Sequence, residues 1–156
     1  MQPKVTNFTT ILMLLLKECR LERNLHQAMI SEKMGKSPSA INKIESSTVS
    51  LQMNDFLAYC GVLNISPSII MNVAEKYLSL FSMNGWQIVG YSIPSSEDTL
   101  LQEAKEYYDS IGYKKRITYG WLALNGPVYY ENGLISGLDV FLFALYPERK
   151  KALLQE

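Results

Sequence analysis

In the first half of the chain, apolar residues fall in short groups separated by helical steps. Met29, Ile30 and Met34 form one group, and Ile41 and Ile44 the next. Steps of three and four put each group on one helical face. Ahead of them, Leu12, Leu16 and Cys19 mark a stripe on a helix predicted over residues 9–23. Ile11, Leu14 and Leu15 mark a second stripe on another face of that helix. This second stripe has two readings: it packs on the chain's own second half, or it is a dimer seam. Phe56, Leu57, Cys60 and Leu63 give the face of a fourth helix, and Ser66-Pro67 opens a fifth over residues 68–81.

Turn and cap residues sharpen this pattern between residues 27 and 45. Gly35 stands between two helical segments, where a left-handed residue is needed and glycine adopts it freely. Ser37 then caps the next helix, and Pro38 takes its first position, where a missing N–H costs nothing. Two short helices joined by such a turn are a helix-turn-helix.

The pattern breaks at Ser82-Met83-Asn84-Gly85, which we take as a boundary between a helical domain (residues 1–82) and a second domain (residues 86–156). Residues 86–94 read as a strand. Ser96-Glu97-Asp98 caps a helix running to Ser110, with Leu100, Leu101, Ala104 and Tyr107 or Tyr108 on its face and acids in its first turn, as the dipole prefers. Residues 117–124 and 128–131 read as strands about Asn125-Gly126. The apolar run 138–146 reads as a further strand in preference to a helix, and Pro147 opens a short charged C-terminal helix. The expected fold is α+β: a five-helix N-terminal domain, then a small β-α-β-β-β domain with one helix on an antiparallel sheet.

From Leu16 to Ser46 the sequence reads LKECRLERNLHQAMISEKMGKSPSAINKIES. This segment resembles the lambda-repressor/Cro-like DNA-binding domains, the XRE family. Arg20, Leu25, Gln27, Ile30, Ser31, Gly35, Ser37, Ile41, Ile44 and Glu45 carry the resemblance, which fades toward Pro67. Asn24 takes a left-handed position often held by glycine in the family. The resemblance implies that the second helix of the motif lies in the major groove while the first crosses the backbone. Gln27 and Ser37 would then hold phosphates, and Ser39, Asn42 and Lys43 would face base edges, with Ala40 near a thymine methyl. Lys36 departs from the family's usual apolar residue and is read as an added phosphate contact. His26 at the start of the motif's first helix either approaches a phosphate or is a plain cap or exposed loop residue. Ser46 completes the implied DNA-binding set, and Arg20 and Glu45 are implied to pair. The loop after Glu45 is longer than in the family, and Ser47 stands where glycine is frequent.

Charge changes this picture little. The chain of 156 residues has a formal net charge of zero. Residues 1–82 hold eight Lys/Arg and six Asp/Glu, and residues 83–156 hold seven and nine. The first half is weakly basic, so this is no polybasic coat for nucleic acid. Cys19 and Cys60 fall at apolar helical positions and read as reduced core thiols; a redox-sensing thiol is the alternative, with nothing nearby in sequence to support it. His26 is the only histidine, and no zinc spacing, Ser/His/Asp set, phosphate-binding glycine loop or CxxC is present. No metal, cofactor or enzymatic activity is expected. The apolar run 8–16 is too short to span a bilayer and lacks the features of a signal peptide, so a cytoplasmic protein is expected.

Eight of the ten tyrosines lie in the second half, at Tyr91, Tyr107, Tyr108, Tyr113, Tyr119, Tyr129, Tyr130 and Tyr146. They read as core, or as an interface or ligand pocket. Lys114-Lys115-Arg116 reads as a wet turn, or as a phosphate or partner contact. Together these features point to a sequence-specific transcriptional regulator of double-stranded DNA, a repressor acting as a homodimer. Its second half would serve dimerisation or bind a small ligand or protein partner, with the seam at residues 117–124 and 138–146. Two alternatives stand beside this. One is an antitoxin whose helix-turn-helix regulates its own gene. The other is an interaction adaptor that no longer binds DNA.

Overall fold

A computed structural model describes residues 3–116, 122–131 and 134–155 of the chain. Strand β1 (Val5–Asn7) runs directly into helix α1 (Phe8–Glu22), because the Asn7 side chain accepts from the Thr10 N–H at 2.9 Å and caps the helix. Every residue from Thr10 to Leu16 is buried, as are Glu18, Cys19 and Arg20. Both apolar stripes of α1 therefore face protein, and the helix is the axis on which the rest is assembled.

Asn24 adopts φ 56° and turns the chain into α2 (Gln27–Met34). Gly35, at φ 67°, closes α2, and α3 (Pro38–Glu45) starts from Ser37, whose Oγ accepts from the Ala40 N–H at 3.1 Å. Helix α4 (Met53–Leu63) ends at left-handed Asn64, and α5 (Pro67–Met83) follows. Two side chains expected inside are outside. Met29 is exposed on α2, and Leu57 is exposed on α4. On α4 the buried row is Phe56, Tyr59, Cys60 and Leu63, the three-and-four spacing that starts from Phe56 and passes Leu57 by.

The second half departs further from expectation. The strand expected over 86–94 is only β2 (Gln87–Val89), and it pairs in parallel with β1, Thr6 opposite Ile88. After a 3-10 turn at Ser95–Glu97, Asp98 caps α6 (Thr99–Asp109), as its spacing predicts. Ser110 caps a short α7 (Ile111–Lys115) that the pattern did not indicate. Of the strand expected over 117–124, residues 117–121 lie outside the described residues, and α8 (Leu122–Asn125) is helical. The antiparallel hairpin pairs β3 (Tyr129–Glu131) with β4 (Leu134–Ser136), so its strands do not flank Asn125-Gly126.

The run 138–146 is helix α9 (Asp139–Leu145), not a strand, and it leads into α10 (Pro147–Gln155). All residues of α9 from Val140 to Leu145 are buried. A helix wrapped on all sides shows no amphipathic period, which is why the run resembles a buried strand in sequence. Being inside, it offers no dimer seam. The Phe141 ring lies 4.2 Å from Tyr77 and 6.0 Å from Phe81 of α5. One continuous apolar cluster extends from Ile11 through Phe56, Tyr77 and Tyr107 to Leu153. The second half is thus mostly helical, with two small sheets in place of the single antiparallel sheet expected.

Candidate nucleic-acid interface

Glu45, the last residue of α3, is buried and takes four hydrogen bonds. Arg20 on α1 grips it in a bidentate fork, Nε to Oε2 and Nη2 to Oε1, each at 2.8 Å. Gln27 Nε2 donates to Oε1 at 3.0 Å, and the Tyr59 hydroxyl on α4 donates to Oε2 at 2.5 Å. Arg20 also donates to the Leu25 carbonyl at 2.8 Å, at the entry to α2. One carboxylate therefore ties α1, α2, α3 and α4 together. Burial works against the Arg20 charge, but the hydrogen bonds and charge of Glu45 outweigh it and hold the guanidinium above its ordinary pKa. Burial, then the neighbouring Glu45 carboxylate, pushes the Tyr59 hydroxyl well up, so it stays protonated and donates.

The brace holds α3 from one side. Ser39 and Lys43 are exposed on the opposite face, with Ala40 half-buried beside them, and Asn42, exposed at the flank, lines a groove with Glu45. Ser37 is exposed; its oxygen accepts the capping bond, which leaves its hydroxyl able to donate. His26 precedes α2, exposed, and makes no side-chain cap bond. Ser46 Oγ bonds the Lys43 carbonyl at 3.3 Å and Thr48 Oγ1 at 2.8 Å, pinning the loop after α3. Ser47 there takes φ 57° without being glycine.

Two of the implied phosphate contacts are engaged inside the protein. Lys36 pairs with Asp55 of α4 at 3.1 Å, an ion pair it would have to leave to reach a phosphate. Gln27 has committed its amide nitrogen to Glu45, which leaves the amide oxygen and the backbone N–H groups at the start of α2. The free groups that project from α3 are a cation, an amide and hydroxyls. Those are the types that reach guanine, adenine and phosphate respectively.

The family model HTH_3, described as Helix-turn-helix, matches residues 16–70. The match falls on the segment that resembles the XRE-type, lambda-repressor-like helix-turn-helix domains and is consistent with that resemblance. The match begins within α1, contains α2, α3 and α4, and ends in the first turn of α5. No curated protein and no solved structure matches the chain. The helix-turn-helix domain supports a DNA-binding regulator in general. Among the described residues, no group of three His, Cys, Asp or Glu side chains is placed to hold a metal ion, and no single helix is long and apolar enough to cross a membrane.

A second buried network lies behind the helix-turn-helix domain, and sequence reasoning missed it. Glu18 on α1 accepts from Arg116 Nη1 and from the Tyr108 hydroxyl, both at 2.8 Å. Arg116 also donates to the Tyr107 hydroxyl at 3.0 Å and lies over the Tyr113 ring. Glu22 accepts from the Ala123 N–H at 3.0 Å. A sequence signal for Glu18 existed: it continues the Ile11, Leu14, Leu15 stripe at helical spacing, and a lone carboxylate on a buried face needs a cation from elsewhere. Arg116 supplies that cation, while Lys114 and Lys115 beside it stay exposed.

Proposed function

We propose that this protein is a cytoplasmic, sequence-specific transcriptional regulator, a repressor that binds its operator as a homodimer and carries out no enzymatic chemistry. The observation that carries this reading is the exposed Ser39, Asn42 and Lys43 edge of α3, held from behind by the buried Arg20–Glu45 pair. Such an edge presents donors and acceptors at fixed spacing, as base readout requires. A single recognition helix covers few base pairs, and the weakly basic first half gains little from general attraction to DNA. Two helices about 34 Å apart on a two-fold site would add their contacts. We assign base contacts to Ser39, Asn42 and Lys43 and phosphate contacts to Ser37, Ser46 and the start of α2.

Selection of bound sites from random duplex DNA tests this. A two-fold consensus is expected, with Lys43→Ala losing roughly 1–3 kcal/mol on it and relaxing one base pair in each half-site. Recovery of no consensus, or equal binding by wild type and variant, would overturn the assignment. A single asymmetric half-site bound by a monomer in sedimentation would remove the dimer.

A further inference from the structure

We infer that α6, from the second half of the chain, carries an additional DNA-backbone contact, Lys105, set beside the recognition helix. The inference rests on the DNA-binding reading above. A narrow groove separates α6 from the helix-turn-helix domain; Lys17, Gln27, Asn42, Ser46 and Lys105 line it, together with Glu45, whose charge is met by Arg20. Its volume is about 100 Å³. That is space for a few waters and too small for an organic ligand. It is a seam, and its rim is made by residues of the DNA-facing surface on one side and by Lys105 on the other.

Lys105 is held there by the way α6 docks. Residues 101, 104, 105 and 108 share one helical face. Leu101 and Ala104 are buried on it, whereas Lys105 is exposed at its margin. Thr10 Oγ1 donates to Asp98 Oδ2 at 2.5 Å at one end of α6, and the Tyr108 hydroxyl donates to Glu18 Oε2 at 2.8 Å at the other. Both acceptor and donor partners are on α1, the helix that also braces α3 through Arg20. Lys105 and the recognition helix are therefore fixed to one common rod.

The charges agree with this role. Glu103 and Glu106 of α6 are held by Lys150 of α10 at 3.0 and 3.3 Å, and the exposed Asp109, one turn beyond Lys105, is the α6 acid that shares its side of the helix. Asp109 does not line the groove. Lys17 lies on the groove floor, its ammonium 3.8 Å from the Tyr108 ring centroid. A DNA strand held by Ser46 and the start of α2 would pass beside this groove, where the flexible stem of an exposed lysine can bring its ammonium to the phosphates.

The test compares wild type, Lys105→Gln, Lys105→Arg and Lys43→Ala on a duplex obtained by selection and on its scrambled counterpart. Lys151→Gln on α10, outside the groove, controls for net charge. Lys105→Gln should weaken both duplexes equally, and its deficit should shrink about threefold between roughly 50 and 200 mM salt, the change expected for one phosphate contact. Lys105→Arg should restore binding, and Lys151→Gln should bind like wild type. Unchanged affinity and salt slope for Lys105→Gln, with Lys43→Ala still impaired, would overturn this contact while the DNA-binding reading stands. Tighter binding by Lys105→Gln would also overturn it, and would mean that α6 obstructs the DNA. Absence of DNA binding by wild type would overturn both.

Discussion

Tyr59 donates its hydroxyl to Glu45 Oε2 at 2.5 Å, the oxygen that also receives Arg20 Nε at 2.8 Å. Helix α3 is thus secured at its C-terminal end by a tyrosine from α4 as well as by the arginine of α1. Glu45→Ala is expected to cost about 3–5 kcal/mol, because it leaves a buried guanidinium without its counter-charge. Tyr59→Phe removes one hydrogen bond to a charged group and should cost about 1.5–3 kcal/mol. Urea denaturation checks both. A loss under 1 kcal/mol for Glu45→Ala, the order of an exposed pair, would show that the pair is not closed off from water in solution.

How much of this was legible depends on whether local signals settled each element. Helices α2 and α3 announce themselves through Gly35, Ser37 and Pro38, since turn and cap chemistry is local. Strand β1 does not, because three residues gain strand structure only from β2, which the chain reaches after five helices. The run 138–146 reads as a strand in sequence because burial of Val140–Leu145 on every side erases the helical period. At the candidate site, the residues of α3 could be read off the family pattern. Tyr59 and Arg116 could not, because their partners, Glu45 and Glu18, are brought to them only by the packing of distant segments.

Alkaline pH should destabilise the protein before lysines lose much charge. Burial pushes the Cys60 thiol up to about 11 and the Cys19 thiol up to about 12, from an ordinary value of 9.0. Burial likewise raises the hydroxyls of Tyr59, Tyr77, Tyr107 and Tyr108. All six groups are neutral when protonated, so the folded state keeps protons that the unfolded chain releases. Stability is then full below about pH 9 and falls as pH rises through the folded values. Lys17, lowered chiefly by burial, acts in the opposite sense but alone. Urea midpoints measured from about pH 8 to 10.5 should decline, and less steeply in Cys60→Ala. A flat profile would contradict the burial of these groups.

Gly112 marks the closest approach in the second half. A Cβ at that position would stand 2.7 Å from the Leu153 carbonyl oxygen and 2.9 Å from its Cα. Backbone cannot step aside as a side-chain tip can, so α10 must shift or detach. Gly112→Ala gains about 1 kcal/mol of helix propensity in α7 and loses about 1–3 kcal/mol to overpacking. We expect net destabilisation with faster amide exchange in α10, where Leu153 is the buried anchor. A variant more stable than wild type would show that propensity wins and that α10 yields freely.

Cutting the chain after Gly85 would keep the whole family match yet remove what covers it. The hydrogen bond that Asp98 accepts from Thr10 and those that Arg116 and Tyr108 donate to Glu18 would go, but the Glu18 carboxylate would return to water at little cost. The apolar surface has no such compensation. Phe141 covers Tyr77 and Phe81 of α5, and Leu101 and Ala104 of α6 face the same groove as Leu14. Exposing three large side chains costs roughly 5–9 kcal/mol at the limit. Half of that is a large share of the 5–15 kcal/mol that holds a typical domain together. Residues 1–85 are therefore expected to melt well below the full chain, or to associate through α1 and α5. The full chain should unfold in one transition, with tryptophan fluorescence and far-ultraviolet dichroism coincident. A monomeric fragment with the full chain's melting temperature would show that the helix-turn-helix half is stable without its partner.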